Sequence, residues 1–250
     1  MKMKTNITRF SDKVNDYVKY RPQYPRQIIK ILEEKIGLTS TSVVADIGSG
    51  TGISSDLFIE NGNKVYAVEP NRPMRLAAEN AFLGNSSFVS IDGSAEKTGL
   101  VDNSIDVIFA GQAFHWFDRK ASKLELNRIL KSNGHIVLAW NERSERSDFQ
   151  REYEQILQDN LPEYNQKTHK KITEDEIRDF LLPRSMYIES MDNSQMFNLE
   201  QVKGRFMSSS YVPNNGTLHD FLIQKIEKLF DKYQQNGFIK FEYITSVYYS

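Results

Sequence analysis

Apolar residues over the first 140 positions fall into short β-branched runs that alternate with stretches of helical spacing. Residues 42–47 form one such run, which Gly48-Ser49-Gly50-Thr51-Gly52 interrupts at once. Ile53, Leu57 and Phe58 then fall on one helical face, Gly62 stands where a C-terminal cap would end that helix, and residues 64–69 read as the next strand. Two strands separated by one helix must be parallel, because the chain has to cross back over the sheet before it pairs again. The alternation goes on through a helix over 73–81, a strand over 88–92, a nearly continuous apolar strand over 104–110 broken by Asp106, and an amphipathic helix over 118–130. A turn at Asn133-Gly134 leads into a strand over 135–140. Five strands alternating with helices predict an α/β fold with a doubly wound parallel sheet and ligands at the carboxyl ends of the strands.

After Asn141 the pattern changes. Residues 143–161 are charged with helical spacing, Pro162 stops them, and 173–182 form a second helix opened by the Thr173-Glu174-Asp175-Glu176 capping pattern. These helices predict a helical cover over 142–184, inserted after the fifth strand. The tail returns to one or two strands within 186–199, a helix over 219–234 and an alternating last strand over 238–248. The domain reading is therefore an N-terminal lid segment and ligand-binding core over 1–141, the cover, and a 185–250 segment that completes the same domain. There is no internal repeat and no low-complexity segment.

Charge narrows the function classes. The 250 residues carry 32 Lys+Arg against 33 Asp+Glu, a net charge of −1, which offers no basic footprint for a phosphate backbone, so nucleic acid is not the expected partner. Zero cysteines remove disulfides, thiolate metal sites and cysteine nucleophiles. Lys2, Lys4 and Arg9 have no apolar stretch behind them, and the longest charge-free apolar run, 107–117, falls well short of the about 20 residues that cross a bilayer. The expectation is a soluble, cytoplasmic protein without a membrane partner.

The glycine loop sits between a strand and a helix, where a missing Cβ lets the backbone turn and a ligand approach. Glu69, 17 residues past Gly52 at the end of the next strand, can accept hydrogen bonds from both ribose hydroxyls of a nucleoside. The dinucleotide fingerprint would need a small residue where Ile53 stands. The spacing is instead Gly-x-Gly-x-Gly, with Asp46 two residues ahead of Gly48. An acid there suits a ligand with an ammonium group better than a pyrophosphate, which points to S-adenosylmethionine over NAD.

These residues resemble the first two motifs of class I S-adenosylmethionine-dependent methyltransferases: 44–52, with Asp46 and the three glycines, and 65–71, with Glu69, Pro70 and Asn71. Further similar stretches are Gly93-Ser94-Ala95-Glu96, 103–108 and 128–136. Tyr17 to Pro25 and Gln112-Ala113-Phe114-His115-Trp116-Phe117 look like the small-molecule subgroup that includes the trans-aconitate methyltransferases. The resemblance implies a Rossmann-like, mostly parallel seven-stranded sheet with an antiparallel strand near its end. It implies that the loop amides of Gly48, Ser49, Gly50 and Gly52, with Asp46, hold the methionine part of the cofactor, Glu69 the ribose, and Pro70 and Ala95 the adenine. Ser94 departs from the acid often found at its position; Asp92 or Glu96 are the possible substitutes. Gln112 joins the cofactor-binding candidates.

Methyl transfer is an in-line displacement in which positioning supplies most of the catalysis, and a base is needed only if the nucleophile arrives protonated. His115, just past the fourth strand, is the candidate for base or positioning residue; His135, His169 and His219 fall at less suggestive places. Tyr17, Tyr20, Arg21 and Tyr24 precede the first strand and can form a lid, with Arg21 pairing either the cofactor carboxylate or an acidic substrate, or the segment can simply be held extended by its prolines. Trp116 and Trp140 are candidates for the substrate pocket or the core, and Tyr211, in Ser208-Ser209-Ser210-Tyr211, for the pocket's far side. No metal site is expected. The reading is a methyltransferase acting on a small molecule, with a non-catalytic cofactor-binding protein and a nicotinamide oxidoreductase as the alternatives.

Overall fold

The computed structural model describes residues 14–162, 164, 172–209 and 211–250. His169, Ser210 and the side chain of Tyr17 lie outside the described residues. In chain order the elements are α1 (Val14–Tyr20), α2 (Gln27–Ile36), β1 (Val43–Ile47), α3 (Ile53–Glu60), β2 (Lys64–Val68), α4 (Arg72–Ala81), β3 (Phe88–Ile91), β4 (Ile105–Gly111), α5 (Arg119–Ile129), β5 (Leu130–Arg143), α6 (Asp148–Asn160), α7 (Glu174–Leu181), β6 (Tyr187–Phe197), α8 (Leu199–Met207), α9 (Thr217–Tyr233) and β7 (Ile239–Tyr249). Local chemistry starts the helices where the sequence says it should. The Asn71 side chain accepts from Met74 N at 3.1 Å ahead of α4, the Asp118 carboxylate accepts from Lys120 N and Ala121 N ahead of α5, and Thr173 and Glu176 close the expected capping box on α7.

The strands form one seven-stranded sheet in the order β3-β2-β1-β4-β5-β7-β6. The pairs among β1 to β5 are parallel, and β7 runs antiparallel to both β5 and β6. Alternation along the strands divides the core by face. Ala45, Ile47, Ile108, Ala110, Ile136 and Leu138 pack with Leu126 and Ile129 of α5 and with Ile177, Phe180 and Leu181 of α7. Their neighbours Val44, Val107, Phe109, Val137 and Ala139 face the other way, onto Ile28, Ile29 and Leu32 of α2 and Leu57 and Phe58 of α3. Asp106, the polar break in β4, accepts from Val43 N at 2.8 Å and pairs with Lys131 at 2.9 Å.

Four features differ from the sequence pattern. The residues before Pro22 are helical, because α1 docks on α8 where Gly204 leaves room for the Tyr20 ring; a Cβ at 204 would stand 2.1 Å from it. Helix α2 is present, stopped by Gly37 in the left-handed conformation. Strand β5 begins directly at the end of α5: Ile105 pairs Leu130 and Val107 pairs His135, so Asn133-Gly134 lies in an irregularity of the ladder. The two helices grouped as a cover part company. Helix α7 packs on the sheet face, whereas α6 joins α8 and α9 in a third apolar cluster around Tyr153, Phe206 and Phe241.

A polar clasp fastens α5 to the loop before β4. Glu125 accepts from Thr98 N and Thr98 Oγ1 at 2.8 and 2.6 Å and pairs with Arg128 at 2.7 Å. The Arg128 guanidinium, helped by Thr98, holds the Glu125 carboxyl down at about 2. A depressed acid contributes stability that is complete above its unfolded pKa and is lost as pH falls toward the folded one. Glu125→Gln should therefore cost about 1–3 kcal/mol at neutral pH. In paired denaturant titrations the gap from the parent should close as pH drops from about 4.5 toward 2; a gap independent of pH would refute the clasp.

Candidate functional site

Strand order reverses at β1: the chain leaves it toward β2 and β3, then returns to its other side as β4. Loops after β1 and β4 consequently diverge, which opens a crevice at the carboxyl ends. A cleft of ≈ 800 Å³, counted to its open mouth, lies there. Gly48, Ser49, Gly50, Thr51, Ile53 and Ser54 form one wall, and Gly111, Gln112, His115 and Trp116 the facing one. Arg21, Pro22 and Tyr24 reach in from the N-terminal segment, Asn141 from β5 and Arg205 from α8.

The three glycines serve different ends. A Cβ on Gly48 would stand 2.6 Å from Ala113 Cβ, and one on Gly52 2.6 Å from the Phe82 ring, so these two permit close packing. A Cβ on Gly50 would meet nothing nearer than Met74 Sδ at 3.9 Å, and its φ of +58° is left-handed. Gly50 is thus the glycine that leaves open space for a ligand. The expectation that the loop amides await a ligand needs correction. Gly48 N and Ser49 N donate to Val68 O at 2.8 and 3.2 Å, Gly52 N donates to Ser49 O at 2.9 Å, and Gly50 N donates to Glu69 Oε2 at 2.9 Å.

Glu69 is buried and its other oxygen accepts from Asn71 N at 2.7 Å. Burial pushes its carboxyl above the ordinary range against the pull of those two backbone donors. Asp46 is wholly buried behind the loop and does not line the cleft. Its Oδ2 accepts from the hydroxyls of Ser54 and Ser55, each at 2.7 Å, while Oδ1 has no hydrogen-bond partner among the described residues. Burial outweighs the serine donors and raises Asp46 to about 6. Thr51 Oγ1 is likewise buried without a partner. Two unpaired acceptors at a glycine loop are what a group with several N–H or O–H donors would satisfy.

His115 sits in a single 3₁₀ turn, Phe114–Trp116, and its ring leans on Trp116 with centroids 4.6 Å apart. Gln112 has φ +55°, uncommon for a residue with a side chain; its backbone N–H donates to Ala139 O at 2.9 Å and Nε2 to Asn141 O at 2.7 Å. Asn141 Oδ1 in turn accepts from Thr245 Oγ1 at 2.5 Å. The facing wall is therefore braced by β5 and β7.

Several candidates fall elsewhere. Pro70, Ser94, Ala95 and Glu96 contribute nothing to the cleft wall. Ala95 is buried in the core, Ser94 closes a turn with Lys97, and Glu96 Oε1 accepts from Asp118 N at 2.9 Å. Asp92 pairs with Arg75 at 2.9 Å. Tyr20 packs on Gly204 rather than the cleft. Trp140 is a core residue, meeting Phe114 and Tyr248 edge-on at 6.2 and 5.6 Å, because the residue before a cleft-lining Asn141 must point to a strand's other face. Tyr211 stacks edge-on with Tyr164 at 4.9 Å under the third cluster. Arg205, Thr51 and Ser54 complete the cleft unforeseen. Among the described residues no group of three or more His, Cys, Asp and Glu could hold a metal, and no helix is long and apolar enough to cross a membrane.

Residues 45–138 match a methyltransferase domain family. An uncharacterised methyltransferase of Mycobacterium bovis is 35% identical over 148 residues, 59% of this chain and 58% of its own length. One from Schizosaccharomyces pombe is 30% identical over 150 residues, 60% and 59% of the two chains. The similarity thus spans less than two thirds of these curated relatives. A solved structure from Anaeromyxobacter dehalogenans, described as a proposed type II methyltransferase, superposes with a TM-score of 0.70 at 20% identity, over 92% of this chain and 97% of that one. A Haemonchus contortus phosphoethanolamine N-methyltransferase, solved with S-adenosylhomocysteine, gives 0.62 at 15% identity, over 99% and 58%. The chain thus has the Rossmann-like α/β fold of the methyltransferases, and its segment 45–138 is similar to a methyltransferase domain.

Proposed function

We propose that the chain is a methyltransferase that uses S-adenosylmethionine to methylate a small molecule. The observation that carries this is the pairing of a buried carboxylate with an open glycine: Glu69 holds Gly50 N at 2.9 Å while the side of Gly50 where a Cβ would stand is clear. A carboxylate with spare lone pairs at that point suits a ribose diol, and Thr51 on the cleft wall, with the Asp46 carboxyl buried behind the loop, suits an amino acid tail with its ammonium. Ile53 on the cleft wall occupies the place that a dinucleotide's third small residue would need, which disfavours the nicotinamide reading. S-adenosylmethionine, when bound, supplies a methyl group already activated by its sulfonium. The chain's task is then to orient the acceptor and exclude water. His115 and Trp116 stand on the wall facing the loop, so His115 can orient an acceptor hydroxyl or amine, or take its proton at a ring nitrogen. The segment Arg21 to Tyr24 closes one side.

Calorimetric titration with S-adenosylhomocysteine, beside NADH, tests the cofactor. Glu69→Ala should weaken the homocysteine derivative at least about tenfold. Gly50→Val should weaken it further, since its branch fills the open space and its φ is strained. Normal binding by both variants would move the site elsewhere.

Asp46 sets a pH dependence. Its carboxylate is about 6 in the folded protein, above its ordinary 3.8, so the ionised form costs stability as pH rises between those values. An ammonium bound over the loop favours that ionised form through the low-dielectric protein between them. Affinity for S-adenosylhomocysteine should therefore be constant above about 6 and fall below it, by up to about tenfold per pH unit, with the slope gone in Asp46→Asn. Dissociation constants that do not change from about pH 5 to 8 would contradict this.

His115→Ala should leave S-adenosylhomocysteine affinity within about twofold of the parent, yet slow methyl incorporation from a metabolite pool by about two to four orders of magnitude if the imidazole is the base. Partial recovery at high pH would accompany that role. A modest loss without pH dependence assigns positioning, and full activity excludes both.

A further inference from the structure

Fifteen residues line the cleft and none of them is acidic, whereas Arg21, Arg205 and His115 all are there. Arg205 stands out. It is 3% exposed, on a helix for which the sequence pattern offers no functional motif, and it is one of the cleft's lining residues. Its Nε donates to Tyr243 Oη at 3.2 Å, and its Nη1 donates to Ser208 Oγ and Ser209 Oγ at 3.4 and 3.5 Å. Its Cζ lies 5.9 Å from the centre of the Phe241 ring; Nη2 makes no hydrogen bond among the described residues, and no carboxylate there acts on this guanidinium. The neighbouring Arg143 is treated differently. Glu154 accepts from its Nη2 at 2.9 Å and its Nε at 3.3 Å, and Tyr164 Oη accepts a further bond at 2.7 Å.

A guanidinium is always charged and carries five donors. Taking one out of water without a counter-ion is costly, so such a group persists where something other than stability retains it. Glu154 is spent on Arg143, and among the described residues no carboxylate acts on Arg205. Tyr211 registers the excess: burial alone would raise its phenol, yet Arg143, a hydrogen bond with Ser209, Arg205 and Arg21 together bring it below the ordinary value. Arg21 is anchored on the same spot, its Nη2 donating to Ser208 O at 2.9 Å. The cleft therefore has two arginines and no acid among its lining residues.

We propose that Arg205 docks an anionic group of the methyl acceptor, a carboxylate or a phosphate, at the end of the cleft away from the glycine loop. The assignment rests on the methyltransferase reading for the word acceptor, but the anion site itself does not. The forked guanidinium with an unused Nη2 accepts either oxyanion, and Arg21 lies close enough to share it.

The test uses the intact chain saturated with S-adenosylhomocysteine, titrated with succinate and, separately, with inorganic phosphate at constant ionic strength against potassium chloride. Trp116 lines the cleft and Trp140 is in the core, so the tryptophan emission that changes is that of Trp116, and Trp116→Phe identifies it. The expected result is a saturable change with at least one of the two anions and none with chloride. The tighter of the two names the group. In Arg205→Gln that binding should weaken by roughly tenfold or more, with S-adenosylhomocysteine affinity within about twofold of the parent. Arg205→Met, without added anion, should melt no lower than the parent, because an uncompensated buried charge has been removed.

No saturable response to either anion, with S-adenosylhomocysteine still bound, overturns the anion site and leaves the methyltransferase reading standing. Failure to bind S-adenosylhomocysteine removes the cofactor reading instead, and the same titration on the unliganded chain then decides the anion site. A marked drop in the melting temperature of Arg205→Met would make Arg205 a structural cation and also overturn the proposal.

Discussion

Strand β1 is flanked by β2 and β4, both parallel to it, and much of the molecule follows from that double pairing. A strand hydrogen-bonded on both edges and covered on both faces is where the chain can least move. Val44 and Ala45 fill opposite faces of the core with no exposure. The turn that leaves β1 must therefore satisfy its amides without disturbing either neighbour. It does so by continuing the ladder past the strand end, through Gly48 N and Ser49 N to Val68 O and Gly50 N to Glu69. The amides of Gly48, Ser49, Gly50 and Gly52 are thus already used within the protein. What remains for a ligand is the open face of Gly50 and the leftover acceptors of Asp46, Thr51 and Glu69.

The same economy explains the charged groups near the cleft. Asp46 and Glu69 are carboxylates kept above their ordinary pKa by burial, and Arg205 is a guanidinium without a carboxylate. Each is destabilising where it stands. Away from the cleft the chain treats charge conventionally: Glu125 with Arg128, Asp106 with Lys131 and Arg143 with Glu154 are paired. The contrast marks the cleft as the part of the molecule where polar groups are held for something other than folding.

Helix α8 and the N-terminal segment are the second structural element of the site. Gly204 admits the Tyr20 ring, which fixes α1 against α8 and brings Arg21 to Ser208. Tyr24 packs on Gly111, where a Cβ would stand 2.5 Å from its hydroxyl. Two glycines far apart in sequence thus seat the residues on either side of Arg21 and Pro22. Pro22, between these two anchored tyrosines, restrains the backbone of the segment that lines one side of the cleft.

Alternating periods of two and of 3.6 determined most of the elements between residues 42 and 143, because each strand and helix must bury one face and the local spacing records which. The places of the loop glycines, Asp46, Glu69 and His115 in the fold were legible for the same reason: they stand at fixed offsets from strand ends, and the topology puts the carboxyl ends of parallel strands on one side. Tertiary structure decided the rest. Whether Trp140 meets ligand or core depends on which face of β5 carries α7, and Tyr20's place depends on a glycine nearly two hundred residues away. The roles of the three loop glycines were divided by Ala113 and Phe82, which belong to other elements. Arg205 had no local signature at all, since one arginine in an amphipathic helix acquires meaning only when its neighbours turn out to contain no acid, and that is a property of how distant segments pack.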